Sequence, residues 1–96
     1  MKFIVRVPEE VLLEVYEAAS YYDYKQKGLG DKLYDDFENA LLTLEKNPLA
    51  FQLIHKNFRQ ALLTKFPYLI VFRIYNTKIL INKFIHAKKH PLKRYK

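Results

Sequence analysis

The sequence predicts an α+β domain in which a helix hairpin packs on one face of a mainly antiparallel sheet. Apolar residues alternate over a short first segment and then recur at helical spacing in two consecutive segments. From Arg59 onward the period returns to two. The predicted element order is therefore β-α-α-β-β-β. With 96 residues, of which 50% are apolar, we expect a single domain over residues 1–96 with one modest core.

The first strand is predicted at residues 3–7, where apolar side chains alternate. Pro8 ends this strand and is well suited to the first turn of a helix. Glu9 and Glu10 are then favourably placed near the positive N-terminal end of that helix. The predicted helix has about 18 residues and ends near Gly28. Its apolar stripe consists of Val11, Leu12, Val15, Ala18, Ala19 and Tyr22.

A second helix is predicted between Asp31, as its N-cap, and the Asn47–Pro48 pair. Its apolar stripe consists of Leu33, Phe37, Ala40, Leu41 and Leu44. Because only two or three residues would join the helices, they should form an antiparallel hairpin. Both stripes must be buried, so the helices should lie on one face of the sheet or against each other.

The rest of the chain is predicted to contain a loop, a meander of three antiparallel strands and a basic tail. The successive ranges are 49–57 for the loop, 59–66, 68–75 and 79–86 for the strands, and 87–96 for the tail. Pro67 separates the first two strands, and Asn76–Thr77 is a tight-turn signal between the last two. The nearly continuous apolar run of the middle strand indicates a central position in the sheet.

Charge is distributed very unevenly along the chain. All ten acidic residues lie between Glu9 and Glu45. Split after Pro48, the first part has six basic and ten acidic residues (net −4), and the second has eleven basic and none acidic (net +11), giving the overall +7. The basic part should therefore meet an anionic partner, either nucleic acid or an acidic protein. A membrane surface ranks lower, because this part is predicted as strands and a tail rather than a basic amphipathic helix.

Composition also argues against several classes of protein. The chain has no cysteine, which excludes disulfides and thiolate metal sites and fits a cytoplasmic location. The apolar run before Pro8 is too short for a signal peptide, and no segment approaches the ~20 apolar residues of a membrane span. Two glycines cannot build a phosphate-binding loop, and His86 and His90 are not placed as ligands on a helix. We expect no cofactor and no metal.

The residue types needed for metal-free chemistry on RNA are nevertheless present. Such chemistry needs cations that stabilise phosphate charge, together with a proton donor or acceptor. The candidates are Arg59, Arg73, His86, Lys88, Lys89, His90 and Tyr95. Structural roles remain open for them. Arg59 and Arg73 could pair with helix carboxylates, His86 could cap the last strand, and Tyr95 could pack the tail onto the domain.

Several segments resemble the RelE/ParE superfamily of type II toxin–antitoxin toxins. In chain order these are YYDYKQKGLGDKLYDDFENALLTLEKNP, Arg59, FPYLIVFRIY, His86 and the tail KKHPLKRY. The resemblance covers nearly the whole chain and implies a helix hairpin on an antiparallel sheet. It also implies a small bacterial toxin, of the plasmid-stabilization type, that forms a hetero-oligomer with an acidic, partly disordered antitoxin. Tyr21, Tyr24 and Tyr34 are left over from the core stripes and would contribute to the antitoxin surface.

The resemblance implies two alternative activities. RelE-like toxins cleave messenger RNA in the ribosome and usually carry an arginine beside the aromatic residue of the central strand, where this chain has Leu69 after Tyr68. Lys89 and Tyr95 match the cation and the tail tyrosine of that branch. The GLG turn, the long hairpin and the spacing from His86 to Pro91 are more similar to the ParE-like branch, which poisons DNA gyrase without catalysis.

We therefore expect gyrase inhibition, with ribosome-dependent endoribonuclease activity as the alternative and a non-toxic relative as a third possibility. The residues expected to contact the target are Arg59, Arg73, Lys88, Lys89, Lys93 and Arg94. If the chain is a nuclease, the catalytic candidates are Arg59, Arg73, His86, Lys89 and Tyr95.

Overall fold

A computed structural model of the chain describes residues 2–88 and confirms the α+β class. The elements are β1 (Ile4–Arg6), α1 (Glu9–Lys25), α2 (Leu29–Lys46), a 3₁₀ turn (Pro48–Ala50), β2 (Gln52–His55), β3 (Phe58–Leu62), β4 (Tyr68–Tyr75) and β5 (Lys78–His86). Both helices and the central strand lie where the periodicity placed them. Most of the predicted tail lies outside the described residues.

The five strands form one mixed sheet in the order β1-β5-β4-β3-β2. Strands β2 to β5 are antiparallel to their neighbours, whereas β1 runs parallel to β5 with Ile4 opposite Lys78 and Arg6 opposite Leu80. The central position of β4 is confirmed. A parallel first strand was not part of the sequence prediction, since strand direction depends on how the hairpin returns the chain to the sheet.

Strand β2 corrects the prediction of a loop at residues 49–57. Its four residues pair with β3, with Gln52 opposite Gln60 and an irregularity before His55. The turn that follows contains Lys56 at φ 50°, a left-handed conformation that lysine seldom adopts. A short strand without alternating polarity, followed by a turn without glycine, leaves little signal in the sequence.

The helix hairpin begins and turns at special backbone positions. Pro8 is the N-cap of α1, with an extended ψ of 154°, so it precedes the helix rather than occupying its first turn. Gly28 has φ 90° and is the N-cap of α2, which corrects the prediction that Asp31 caps this helix. Asp31 instead lies within the first turn.

The cap of α2 comes from the other helix of the hairpin. The carboxylate of Asp23, in α1, accepts a hydrogen bond from the backbone N–H of Gly30 at 2.7 Å. A Cβ on Gly30 would collide with the carbonyl oxygen of Ala19 and lie 2.8 Å from Cγ of Asp23. Only glycine therefore permits this close approach of the two helices.

The core lies between the hairpin and the inner face of the sheet. Its buried residues are Val11, Val15, Ala18, Leu33, Phe37, Leu44, Ala61, Leu63, Ile70, Phe72, Ile79, Ile81 and Phe84. On β4 the inner residues Ile70 and Phe72 alternate with Leu69, Val71 and Arg73, which therefore point to the outer face. The alternation assigns each strand residue to one of the two faces.

Two carboxylates tie the helices to the backbone of the sheet region. Asp36 is only 4% exposed, and its Oδ2 accepts hydrogen bonds from the N–H groups of Lys65 and Phe66 at 2.8 and 3.1 Å. These bonds hold the turn between β3 and β4 against α2. In α1, Oε1 of Glu14 accepts a bond from the N–H of Phe84 at 3.3 Å, close to the bulge in β5.

We predict that Asp36→Ala strongly destabilises the fold. The change leaves two backbone donors without their acceptor, which should lower the free energy of unfolding by about 2–4 kcal/mol. The neighbouring exposed residue supplies a matched control, and Asp35→Ala should stay within about 0.5 kcal/mol of the unmodified chain. Urea unfolding followed by circular dichroism measures both values. Equal stabilities for the two variants would contradict the assigned role of Asp36.

Candidate functional site

The outer face of the sheet carries the positive charge. Arg6, Arg73, Lys78 and Lys83 are exposed, and the strand registers place them on the side opposite the helices; we call these four residues the basic face. The strands of the described chain contain no Asp or Glu. The acidic residues of the first half lie instead on or beside the helices. The uneven charge of the sequence thus becomes two chemically distinct sides of the fold.

The two arginine candidates lie on opposite faces of the sheet. Arg59 pairs with Phe72 in the register and therefore points toward the helix side, whereas Arg73 points outward. Nη1 of Arg59 donates a hydrogen bond to the carbonyl oxygen of Phe51 at 2.7 Å and a longer one to that of Leu49 at 3.4 Å. Arg59 thus holds the segment around the 3₁₀ turn through main-chain carbonyls, not through the helix carboxylates considered from sequence.

His86 ends β5 and caps the turn that follows. Its Nδ1 accepts a hydrogen bond from the N–H of Lys88 at 3.1 Å, and its ring lies 5.2 Å from that of Tyr68. This is the capping role considered from sequence. Lys88 is exposed. The remaining candidates lie outside the described residues, namely Lys89, His90, Lys93, Arg94 and Tyr95.

The described candidates do not converge on one point. Arg59 is opposite Phe72 and His86 is opposite Tyr68. These two positions are four residues apart along β4, which corresponds to roughly 13 Å at ~3.3 Å per residue. Arg73 is on the other face. Within residues 2–88, the cations and the histidine predicted for RNA cleavage are therefore not arranged around a common phosphate position.

A different site, not predicted from the sequence, lies where the end of α1 meets the ends of β4 and β5. This aromatic cleft has a volume of about 540 Å³ and is lined by Tyr21, Tyr22, Lys25, Leu29, Tyr68 and His86. The YYDY run at residues 21–24 is the sequence feature that supplies two of its lining residues. Tyr22 belongs to the apolar stripe predicted for the first helix, whereas Tyr21 and Tyr24 of the same run lie outside that stripe.

Stacked aromatic rings support the floor of the cleft. Tyr68 stacks on Phe84 with ring centroids 4.7 Å apart, and Tyr22 meets Phe66 edge-on at 5.0 Å. Burial raises the pKa of Tyr68, and the nearby Tyr22 and Tyr21 hydroxyls raise it further. The Tyr68 hydroxyl therefore stays protonated at neutral pH and remains available as a hydrogen-bond donor.

The outer side of the hairpin carries exposed apolar side chains. Leu13, Tyr16 and Tyr24 lie on one side of α1 by helical spacing, and the ring of Tyr34 in α2 stacks on Tyr16 at 5.9 Å. We call these four residues the hairpin patch. Partial burial raises the pKa of Tyr34, with further contributions from Glu38 and from a hydrogen bond with Tyr16. Exposed apolar clusters of this kind are typical of protein-binding surfaces.

No group of three or more His, Cys, Asp or Glu side chains in residues 2–88 is arranged to hold a metal ion. In the same part of the chain, neither helix is long and apolar enough to cross a membrane.

Comparison with known proteins shows a similarity of fold. No protein-family model matches the sequence, and no curated protein matches it. Among solved structures, a chain of the chromosomal ParDE toxin–antitoxin (TA) system from P. aeruginosa superimposes with a TM-score of 0.79. The two chains share a fold. The match covers 88% of this chain and 96% of that chain at 12% sequence identity, so it confirms the fold implied by the resemblance.

We predict that Arg59 and Arg73 differ in what they contribute to the protein. Arg59→Ala removes charge-assisted hydrogen bonds to backbone carbonyls and should lower the free energy of unfolding by about 1–3 kcal/mol. Arg73→Ala removes an exposed cation and should change it by no more than about 0.5 kcal/mol. Thermal or urea unfolding measures both effects. A stable Arg59→Ala variant would show that the bonds to Phe51 and Leu49 are dispensable.

Proposed function

We propose that the chain is the toxin of a bacterial type II toxin–antitoxin system and that it inhibits DNA gyrase. The observation that carries the proposal is the fold shared, over 88% of the chain, with a chain of a ParDE toxin–antitoxin system. The basic face adds a surface suited to an acidic protein or to DNA held by an enzyme. Inhibition of this kind requires binding and no catalytic group.

The arrangement of the described residues supports gyrase over messenger RNA as the target. Leu69, which stands where RelE-like nucleases usually have arginine, is buried on the outer face of β4. Arg59 is engaged with main-chain carbonyls, and it lies on the opposite face from Arg73. The nuclease alternative depends on Lys89 and Tyr95 in the tail, and we keep it as the second candidate because both residue types fit phosphate chemistry.

The antitoxin is proposed to bind the hairpin patch with apolar residues and to place its acidic residues near the basic half of the chain. Leu13 and Tyr24 are 56% and 89% exposed, so they can be buried by a partner without rearranging the core. Apolar anchors supply most of the affinity at such interfaces. Opposite net charges increase the association rate and make it sensitive to salt.

We predict that Leu13→Ala weakens binding of the antitoxin about 10-fold, because it removes an apolar anchor from the hairpin patch. Leu53, which is 51% exposed on β2, is a matched control, and Leu53→Ala should change the affinity less than about twofold. The candidate partner to be tested is the product of the neighbouring gene, and surface plasmon resonance gives affinities and rates. A partner that fails to bind even at low salt would contradict the antitoxin proposal.

A second prediction tests toxicity and target. Expression without antitoxin should stop bacterial growth, and the purified chain should block supercoiling by gyrase while leaving translated messenger RNA intact. Tyr95→Phe keeps the ring and removes only the hydroxyl, so a binding inhibitor should retain its toxicity. Lys89→Ala should cost a surface contact of no more than ~1 kcal/mol.

The nuclease alternative gives the opposite pattern. Loss of a group that stabilises the transition state would reduce the cleavage rate by a factor of ~10² or more. A Tyr95→Phe variant that folds and binds antitoxin but has lost its toxicity would therefore move the protein to the RelE-like branch. Normal growth during strong expression of the folded chain would refute the toxin proposal itself.

A further inference from the structure

The aromatic cleft combines aromatic, hydrogen-bonding and cationic residues. Three tyrosines line it, namely Tyr21, Tyr22 and Tyr68, together with the cationic residue Lys25 and with His86. None of the described residues that line the cleft is acidic. A ligand for this cleft should therefore contain a planar apolar part and a negatively charged part.

The planar part has an accessible ring at the mouth of the cleft. Tyr21 is 53% exposed and its ring meets that of Tyr22 edge-on at 5.4 Å, so the side chain is held by a neighbour and is still accessible to solvent. Tyr22 is in turn held by Phe66 and Tyr68, at 5.0 and 6.3 Å. A chain of packed rings thus orients Tyr21 from the core outward, and a preoriented ring loses little entropy on binding.

The charged part has donors at the same mouth. Nζ of Lys25, one helical turn away, lies over the Tyr21 ring at 5.2 Å from its centroid, so a base that stacks on this face displaces the flexible ammonium toward the phosphate. Nδ1 of His86 accepts the N–H of Lys88, which places the proton of the neutral imidazole on Nε2 and makes that nitrogen a donor. Lys25 and His86 both line the cleft, so both are placed to contribute to binding an anionic group there.

We propose that the aromatic cleft binds a nucleotide, with an unpaired base against the Tyr21 ring and the phosphate against Lys25 and His86. A volume of about 540 Å³ is within the usual range for a site that holds one small molecule of this size. Stacking on an aromatic ring combined with a cation for the phosphate is how proteins hold single-stranded nucleic acid. The inference involves no bond cleavage and does not rest on the proposed function.

Two sources could supply this ligand, a free mononucleotide or an unpaired nucleotide within a strand. Binding of the full chain should therefore be measured with AMP and UMP, and with a pentadeoxythymidylate labelled for fluorescence anisotropy. A short duplex of equal charge is the comparator, because its bases are paired and cannot reach the ring. Binding of mononucleotides and pentamer indicates a free nucleotide site, and binding of the pentamer alone indicates a strand.

Variants of Tyr21 and Tyr24 distinguish binding in the cleft from nonspecific electrostatic binding to a basic protein. Tyr21→Ala should weaken binding about 5- to 100-fold, the range expected for loss of one stacked base. Tyr21→Leu keeps apolar bulk on α1 and should weaken binding by a similar factor. Tyr24→Ala is the matched control, since Tyr24 is more exposed on the same helix and does not line the cleft. It should change the affinity less than about twofold.

A second matched pair of variants tests the contribution of the positive charge in the cleft. Lys25 and Lys46 both lie in the last turn of a helix, and only Lys25 lines the cleft. Lys25→Ala should weaken binding about 3- to 10-fold and reduce the slope of log affinity against log salt by ~0.7, whereas Lys46→Ala should leave both nearly unchanged.

Three results would overturn the inference. The first is an absence of binding by mononucleotides and pentamer alike at low salt. The second is equal weakening by each cleft variant and its control, or equal affinity for the duplex, which would indicate charge attraction alone. The third is displacement of the pentamer by polyglutamate with the same dependence on Tyr21, which would assign the cleft to an acidic protein partner. Since none of these assays involves gyrase or an antitoxin, they fail or succeed separately from the toxin proposal.

Discussion

The burial of the hairpin's apolar residues against β4 and β5 is the constraint on which the other features depend. It fixes which face of every strand is covered and therefore which residues remain outside. The acidic residues come before Lys46 and the strands after the helices contain none, so this packing also separates the charges in space. One hydrophobic contact thus sets the core and at the same time exposes a cationic sheet.

The elements with a regular apolar pattern or a clear turn signal could be predicted from the sequence. The helix stripes, the limits of β4 and the turn at Asn76, which has φ 57°, all have strong local signals. The missed features depend on contacts between distant segments. Strand β2 is recognisable only through its pairing with β3, and the cap of α2 comes from Asp23 in the other helix. No local rule identifies a cap supplied across a hairpin.

In the candidate site, too, some features could be predicted from the sequence and others depend on contacts between distant segments. Sequence reasoning identified suitable residue types in Arg59, Arg73 and His86, but alternation along the strands places the two arginines on opposite faces. The capping role of His86 was among the alternatives because it lies at a strand end. The aromatic cleft was missed because its members come from α1, the start of α2 and the facing ends of β4 and β5. Their proximity follows from the topology and cannot be read from spacing along the chain.

The parallel pairing of β1 with β5 joins an early segment of the chain to a late one. Ile4 cannot meet Lys78, nor Arg6 meet Leu80, until that late segment has left the ribosome. Pairings of such high sequence separation are slow to form, because the entropy of closing the intervening chain is lost before the contact is made. A nascent chain therefore spends most of its own translation without a finished sheet, and so without the paired strands that carry its cationic surface.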